Sequence, residues 1–168
     1  IWGNTQKPEF WDLFPNLISW LDKRNHQIYI SSHLHKRLKD NNSFKYSVIK
    51  NQNDFKTVDF VLSMGGDGTI LSAARAVGNI GTPIFGVHLG GLGFLAEGNI
   101  EDIFLSLKSI IEKKYSIYPR ILVQVIIQGE KNLKVSALND IVIDAGEGLH
   151  LMNCSLYSGN NLITSYSA

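Results

Sequence analysis

Apolar positions along the chain recur at two spacings, and the change from one to the other lays out the architecture. Phe10, Phe14, Leu17, Ile18 and Leu21 fall at helical intervals, which predicts a helix that Pro15 should kink or restart. A short strand from Gln27 to Ser31, a helical stretch from His33 to Leu38 and a strand from Tyr46 to Ile49 follow. Val58 to Met64 and Pro83 to Val87 are mostly apolar runs, the form taken by strands of a parallel sheet covered on both faces. Between them Thr69 to Val77 reads as a helix, with Gly78 to Gly81 as the breaker. The strongest helical pattern spans Ile100 to Lys113: Asn99 can cap it, Glu101 and Asp102 suit its positive end, and Lys113 and Lys114 suit its negative end.

After Tyr115 the pattern becomes strand after strand. Ile121 to Gln128, Leu133 to Ile143, Leu149 to Tyr157 and Leu162 to Tyr166 are predicted strands, with turns at Gly129 to Asn132 and Ser158 to Asn161. Strands alternating with helices and then strands alone predict an α/β N-terminal domain with a parallel sheet over 1–114, joined by right-handed crossovers. The beginning of an all-β C-terminal domain is expected over 115–168. Ile1-Trp2-Gly3-Asn4-Thr5 reads as a strand end running into a polar turn, so the true start is expected upstream, and the second domain is expected to be cut short at Ala168.

Composition narrows the functional classes. A chain of 168 residues, 44% apolar and 18% charged, has the make-up of a folded domain rather than a disordered segment. Sixteen Lys and Arg against fifteen Asp and Glu give a net charge of +1, and no basic block suited to a nucleic-acid backbone is present. A polyanionic ligand would therefore be held locally, at a loop. One cysteine, Cys154, excludes an intrachain disulfide and a Cys-rich zinc cluster, in keeping with a reducing cytoplasm. No apolar run is long enough to span a bilayer. His33 and His35 have no acidic or Cys partner at ligand spacing and are expected to be solvated.

The candidate chemistry lies at Gly65-Gly66-Asp67-Gly68-Thr69, between a buried strand and a helix. Unhindered backbone N–H groups at a helix N-terminus make an anion site. Glycine there admits a phosphate and serves turns that need positive φ, while Thr69 can cap the helix or bond a phosphate oxygen. Asp67 beside a polyphosphate is intelligible if it holds Mg²⁺ or accepts a proton from an attacking hydroxyl. A strand-to-helix turn with a capping Asp is the purely structural alternative. The loop is neither a Walker A sequence nor the Rossmann Gly-x-Gly-x-x-Gly.

It resembles the Gly-Gly-Asp-Gly loop shared by NAD kinases, phosphofructokinases and the diacylglycerol and sphingoid-base kinases. Residues 86–95, Gly-Val-His-Leu-Gly-Gly-Leu-Gly-Phe-Leu, resemble the second NAD kinase signature, with His88 where that family often has Asn. Residues 137–143, Ala-Leu-Asn-Asp-Ile-Val-Ile, are similar to the family's Asn-Glu/Asp motif, although a β-bulge or Asx-turn would also explain the Asn139-Asp140 pair. The resemblance implies that Gly93 and Phe94 line the NAD pocket and that Asn139 and Asp140 bond the adenosine and ribose hydroxyls. His150 falls where some bacterial members carry a basic residue near the substrate, and is equally intelligible as an ordinary surface residue. Leu162 to Ala168 resembles the strand that leads into the family's Asp-Gly-Leu and Thr-Pro-Thr-Gly-Ser-Thr-Ala-Tyr segment, which lies outside these residues.

By this resemblance Asp67 is the expected catalytic base, with Gly65, Gly66, Gly68 and Thr69 binding phosphate and Mg²⁺ held through Asp67. The implied reaction moves the γ-phosphoryl of ATP, or a phosphoryl of polyphosphate, to NAD. The implied enzyme is a cytoplasmic homodimer or homotetramer with neither nucleic-acid nor membrane partners. A lipid or sugar kinase with the same glycine loop, and a nucleotide-binding fragment without catalysis, are the alternatives.

Overall fold

The strand Val61–Gly65 (β4) shows how this chain builds its layers. The computed structural model describes residues 1–38, 44–91, 93–146 and 151–167, and in it every residue of β4 is buried. Leu62 and Met64 point into one apolar core, with Phe10, Leu17, Ile103 and Leu107. Val61 points into another, with Phe55, Ala73 and Val77. Side chains alternate across a strand, so each face of β4 has its own covering layer. Each large side chain buried here contributes about 1.5–3 kcal/mol relative to exposure.

Trp2–Gly3 (β1), β4 and Ile84–His88 (β5) form a parallel sheet in the order β1-β4-β5. Tyr29–Ser31 (β2) and Ser47–Ile49 (β3) form a second parallel pair. Backbone bonds join the two: Ser31 N donates to Ile1 O at 3.1 Å and Ile1 N donates to Tyr29 O at 2.5 Å. The resulting order β3-β2-β1-β4-β5 reverses direction between β1 and β4, the arrangement of a doubly wound sheet. Its crevice opens beyond the carboxyl ends of those two strands.

Helices cover the faces. Pro8–Asp22 (α1) begins with Pro at its first position and runs unbroken through Pro15. The prolyl ring sits on the exposed side while Phe10, Leu13, Phe14, Leu17 and Ile18 are buried, so the packed face holds the helix together past the missing N–H and Pro15 does not restart it. The helix Asp67–Val77 (α3) covers the other face. Ile103–Ile111 (α4) buries Ile103 and Leu107 and is shorter than its pattern suggests. Asn99 does accept the Asp102 N–H at 2.8 Å, on the turn before α4. Ser32–His35 (α2) is a single turn, capped by the Ser31 hydroxyl, which accepts from Leu34 N. A 3₁₀ turn at Gln52–Thr57, absent from the sequence pattern, places Phe55 in the second core.

The later strands are antiparallel. Val123–Ile127 (β6) pairs with Leu133–Ala137 (β7), and Asn153–Ser158 (β8) with Asn161–Ser167 (β9). An α/β parallel sheet followed by antiparallel strands is thus the observed fold class. β7 stops at Ala137, and 138–146 carries no regular structure, which corrects the strand expected to run to Ile143. The chain divides into two compact units, Ile1–Leu138 and Asn139–Ala168. Among the described residues no helix is long and apolar enough to cross a membrane.

Candidate functional site

The buried strand β4 ends at Gly65, and Gly66 turns the chain into α3 with φ −101° and ψ −172°. Neither Gly65, Gly66 nor Gly68 has positive φ, so the left-handed turn expected of this loop is absent. Gly65 is required by close packing instead: a Cβ there would lie 2.1 Å from Thr69 Oγ1. A Cβ on Gly66 or Gly68 would meet nothing within 4 Å, which leaves open space in front of the first turn of α3. Thr69 N and Ile70 N donate to Gly66 O at 2.9 and 3.4 Å, which leaves the N–H groups of Asp67 and Gly68 without an intrahelical acceptor, and Asp67 opens the helix where a negative charge is favoured. Thr69 lies inside the first turn rather than at the cap, which Gly66 occupies without a side-chain bond.

The loop after β5 closes over this turn. Asp67 Oδ2 accepts the N–H of Phe94 at 2.9 Å, and Oδ1 accepts that of Leu95 at 3.0 Å. These two donors, Phe94 first, hold the Asp67 carboxyl below the usual carboxylate range against an opposing effect of desolvation, and the nearby His88 lowers it further. Gly93 N donates to His88 Nε2 at 3.1 Å. A Cβ on Gly93 would lie 2.4 Å from Asp67 Oδ1 and 2.5 Å from His88 Cε1, so only glycine fits between carboxylate and imidazole. His88 is buried, and its Nδ1 has no partner among the described residues. Nε2 also lies 3.1 Å from Ala96 O.

Both ends of this second loop are fixed. Leu89 is fully buried in the core and its N–H donates to Gly65 O at 3.0 Å. At the far end Gly98 pairs with Val87, through His88 N to Gly98 O and Gly98 N to Gly86 O, both 2.9 Å. The side chain of Lys7 also reaches the loop, where its Nζ donates to Leu89 O. Lys7 lines an open cleft of about 410 Å³ at the carboxyl ends of β1 and β4, together with Asn4, His33, Gly66, Gly68 and Thr69. His33 is exposed, and its Nε2 lies 2.9 Å from Thr5 Oγ1. Lys7 escaped notice in the sequence because a lone Lys before a Pro-led helix belongs to no motif.

The structure therefore brings Gly65, Gly66, Asp67, Gly68, Thr69, Gly93 and the Phe94 backbone into one assembly, with the Phe94 ring 99% exposed. Asn139 and Asp140 are exposed residues of the second compact unit. His150 lies outside the described residues. Among the described residues no three His, Cys, Asp or Glu side chains gather as a metal cluster.

These features define a doubly wound α/β domain whose switch-point crevice is walled by a glycine loop, the position at which such folds take up ligands. Residues 1–115 match the ATP-NAD kinase N-terminal domain, and the chain belongs to the NAD kinase family. It is 30% identical to the NAD kinase of Thermoanaerobacter sp. (strain X514) over 98% of this chain and 58% of the relative. It is 32% identical to that of Moorella thermoacetica over 99% of this chain and 52% of the relative. The chain thus spans about half the length of the curated relatives it matches. The crystal structure of yeast NADH kinase complexed with NADH superposes with a TM-score of 0.79 at 19% identity, over 97% of this chain and 52% of that one. At that identity the likeness concerns the fold alone.

Proposed function

We propose that the full-length protein is an NAD kinase that transfers the γ-phosphoryl of ATP, or a phosphoryl of polyphosphate, to the 2′-hydroxyl of the adenosine ribose of NAD, giving NADP. The observation that carries this reading is the assembly of both family glycine loops around one carboxylate at the switch-point crevice. The new bond joins the 2′-oxygen to the γ-phosphorus. The bond from that phosphorus to the β,γ-bridging oxygen breaks, and its electron pair leaves with ADP.

Asp67 takes the hydroxyl proton or orients the hydroxyl as it is lost. Each carboxylate oxygen has a second lone pair beyond the one given to Phe94 or Leu95, so the clamp leaves room for this bond. The low pKa keeps Asp67 ionised at neutral pH, ready to accept, and limits it to a weak base, so positioning supplies much of the rate. Mg²⁺ commonly takes one or two carboxylates plus substrate phosphates, and Asp67 beside an open glycine loop fits that requirement. When bound it would neutralise charge on the phosphates.

In the same reading residues 1–114 bind the phosphates and 115–168 open the NAD-binding domain. There Asn139 and Asp140 bond the nucleoside hydroxyls, the Phe94 ring packs on NAD, and His150 serves the substrate. The full enzyme works in the cytoplasm as a homodimer or homotetramer, which its sedimentation mass tests, and residues 1–168 alone form no NADP. The decisive assay offers the full-length protein NAD, diacylglycerol and fructose 6-phosphate with Mg-ATP. NADP formation alone is expected, and phosphorylation of either other acceptor in its place would overturn the reading. Asp67→Asn should lower kcat by roughly 10²- to 10⁴-fold with NAD binding largely kept.

A further inference from the structure

The glycine loop at Gly65–Thr69 offers backbone N–H groups but no cationic side chain of its own, unlike a loop that carries a lysine for phosphate. The cleft in front of it is lined by one Lys, no Arg and no carboxylate among the described residues. That Lys is Lys7, which stands directly before α1, on the turn after β1. Its ammonium group is half-buried between the loops, where a Cβ on Gly90 would meet Nζ at 3.2 Å and Glu9 Oε1 at 3.8 Å. The ion pairs formed among the described residues are Lys108–Glu112 and Lys114–Glu112, so Lys7 is in neither, and the Glu9 carboxylate flanks it across Gly90 without forming one. Lys7 is satisfied in part by the Leu89 carbonyl, and an ammonium has three donors.

We propose that Lys7 binds the phosphates of the phosphoryl donor in the crevice between β1 and β4. This rests on the kinase reading above. The chemistry recognised is a chain of phosphoanhydride-linked phosphates, whether from a nucleoside triphosphate or from inorganic polyphosphate. Gly66 and Gly68 leave space for a tetrahedral anion against the first turn of α3, Thr69 contributes a hydroxyl to the lining, and Lys7 faces the same space with a point charge. The bond to Leu89 O holds the ammonium in place before the anion arrives, which lowers the entropy lost on binding. Because Leu89 begins the second glycine loop, the donor and that loop share one side chain.

The test uses the full-length protein with Lys7→Met, Lys7→Gln and Lys7→Arg, and reads donor and acceptor separately. Lys7→Met and Lys7→Gln should each raise KM for ATP and for polyphosphate about 10- to 100-fold, with KM for NAD within about twofold, and Lys7→Arg should restore most of the loss. Inorganic tripolyphosphate, titrated calorimetrically without NAD, should lose affinity in parallel. Gln can still donate to the Leu89 carbonyl but has no charge, so normal donor KM in Lys7→Gln with a defect in Lys7→Met would show loop positioning and overturn the assignment. Equal rises in KM for donor and NAD, or an effect on ATP without one on polyphosphate, would overturn it as well. If the wild type forms no NADP, the kinase reading fails, while the tripolyphosphate titration still decides the role of Lys7.

Discussion

The strand pairs β4–β5 and β8–β9 both carry large apolar side chains, the second pair interleaved with Asn, Ser and Thr, and they end in opposite environments. Every residue of β4 is buried, whereas every residue of β9 is exposed, with Leu162 and Ile163 at 56% and 59%. The first pair is parallel and its partners are far apart in sequence; the second is a hairpin closed at Gly159, which has φ 57°. Burial on both faces fixes where β4 ends, and with it the position of Gly65 and Asp67. The β8–β9 hairpin has its ladder and turn but little buried apolar area, and a two-stranded hairpin is marginal on that basis.

Hydrogen exchange should make the contrast largest. Amides of β4 and β5 should be protected roughly 10³-fold or more beyond those of β8 and β9; equal protection would show that the hairpin is held by burial after all. Side-chain truncation comes next. Leu107→Ala should cost about 2–5 kcal/mol in urea unfolding, and Leu162→Ala no more than about 0.5 kcal/mol.

Within the site a smaller contrast separates two neighbouring glycines. Gly65→Ala should destabilise by roughly 1–3 kcal/mol because its Cβ meets Thr69. Gly66→Ala should cost under about 1 kcal/mol yet weaken tripolyphosphate binding. A stable Gly65→Ala, or a Gly66→Ala that binds normally, would break the assignment of one glycine to packing and the other to ligand.

The smallest effect is in pH. The folded pKa of Asp67 lies below its ordinary value, so the native state holds this carboxylate more strongly than the unfolded chain does. Its stabilisation is complete above the unfolded value of about 4 and is lost as pH falls through the lower folded value. Stability of the wild type should therefore fall more steeply on the acid side than that of Asp67→Asn, and identical slopes would dispose of the clamp.

The sequence carried some of these features and concealed others. Apolar runs of β-formers located β4 and β5 because a doubly covered strand needs no alternation, and the Ser158-Gly159-Asn160-Asn161 turn gave away the β8–β9 hairpin. Pro15 misled, since its effect depends on which helix face it occupies and what the opposite face buries. Ile141, Val142 and Ile143 have strand propensity but no pairing partner among the described residues. The chemistry of Asp67 was legible as a residue type in a motif, but its hydrogen-bond partners were not. Those are backbone amides 27 and 28 residues away, and a backbone amide leaves no mark on residue identity. Lys7 was hidden for a related reason, as its acceptor is the Leu89 carbonyl.

The pairing of Gly98 with Val87 has a consequence for how such a site can change. It makes residues 89–97 a side excursion whose two ends are tied to the same strand. Closure cost grows only slowly with length for a loop pinned in this way, so the excursion can lengthen outside Gly93–Leu95, which hold Asp67, while β4, β5 and α3 keep their register.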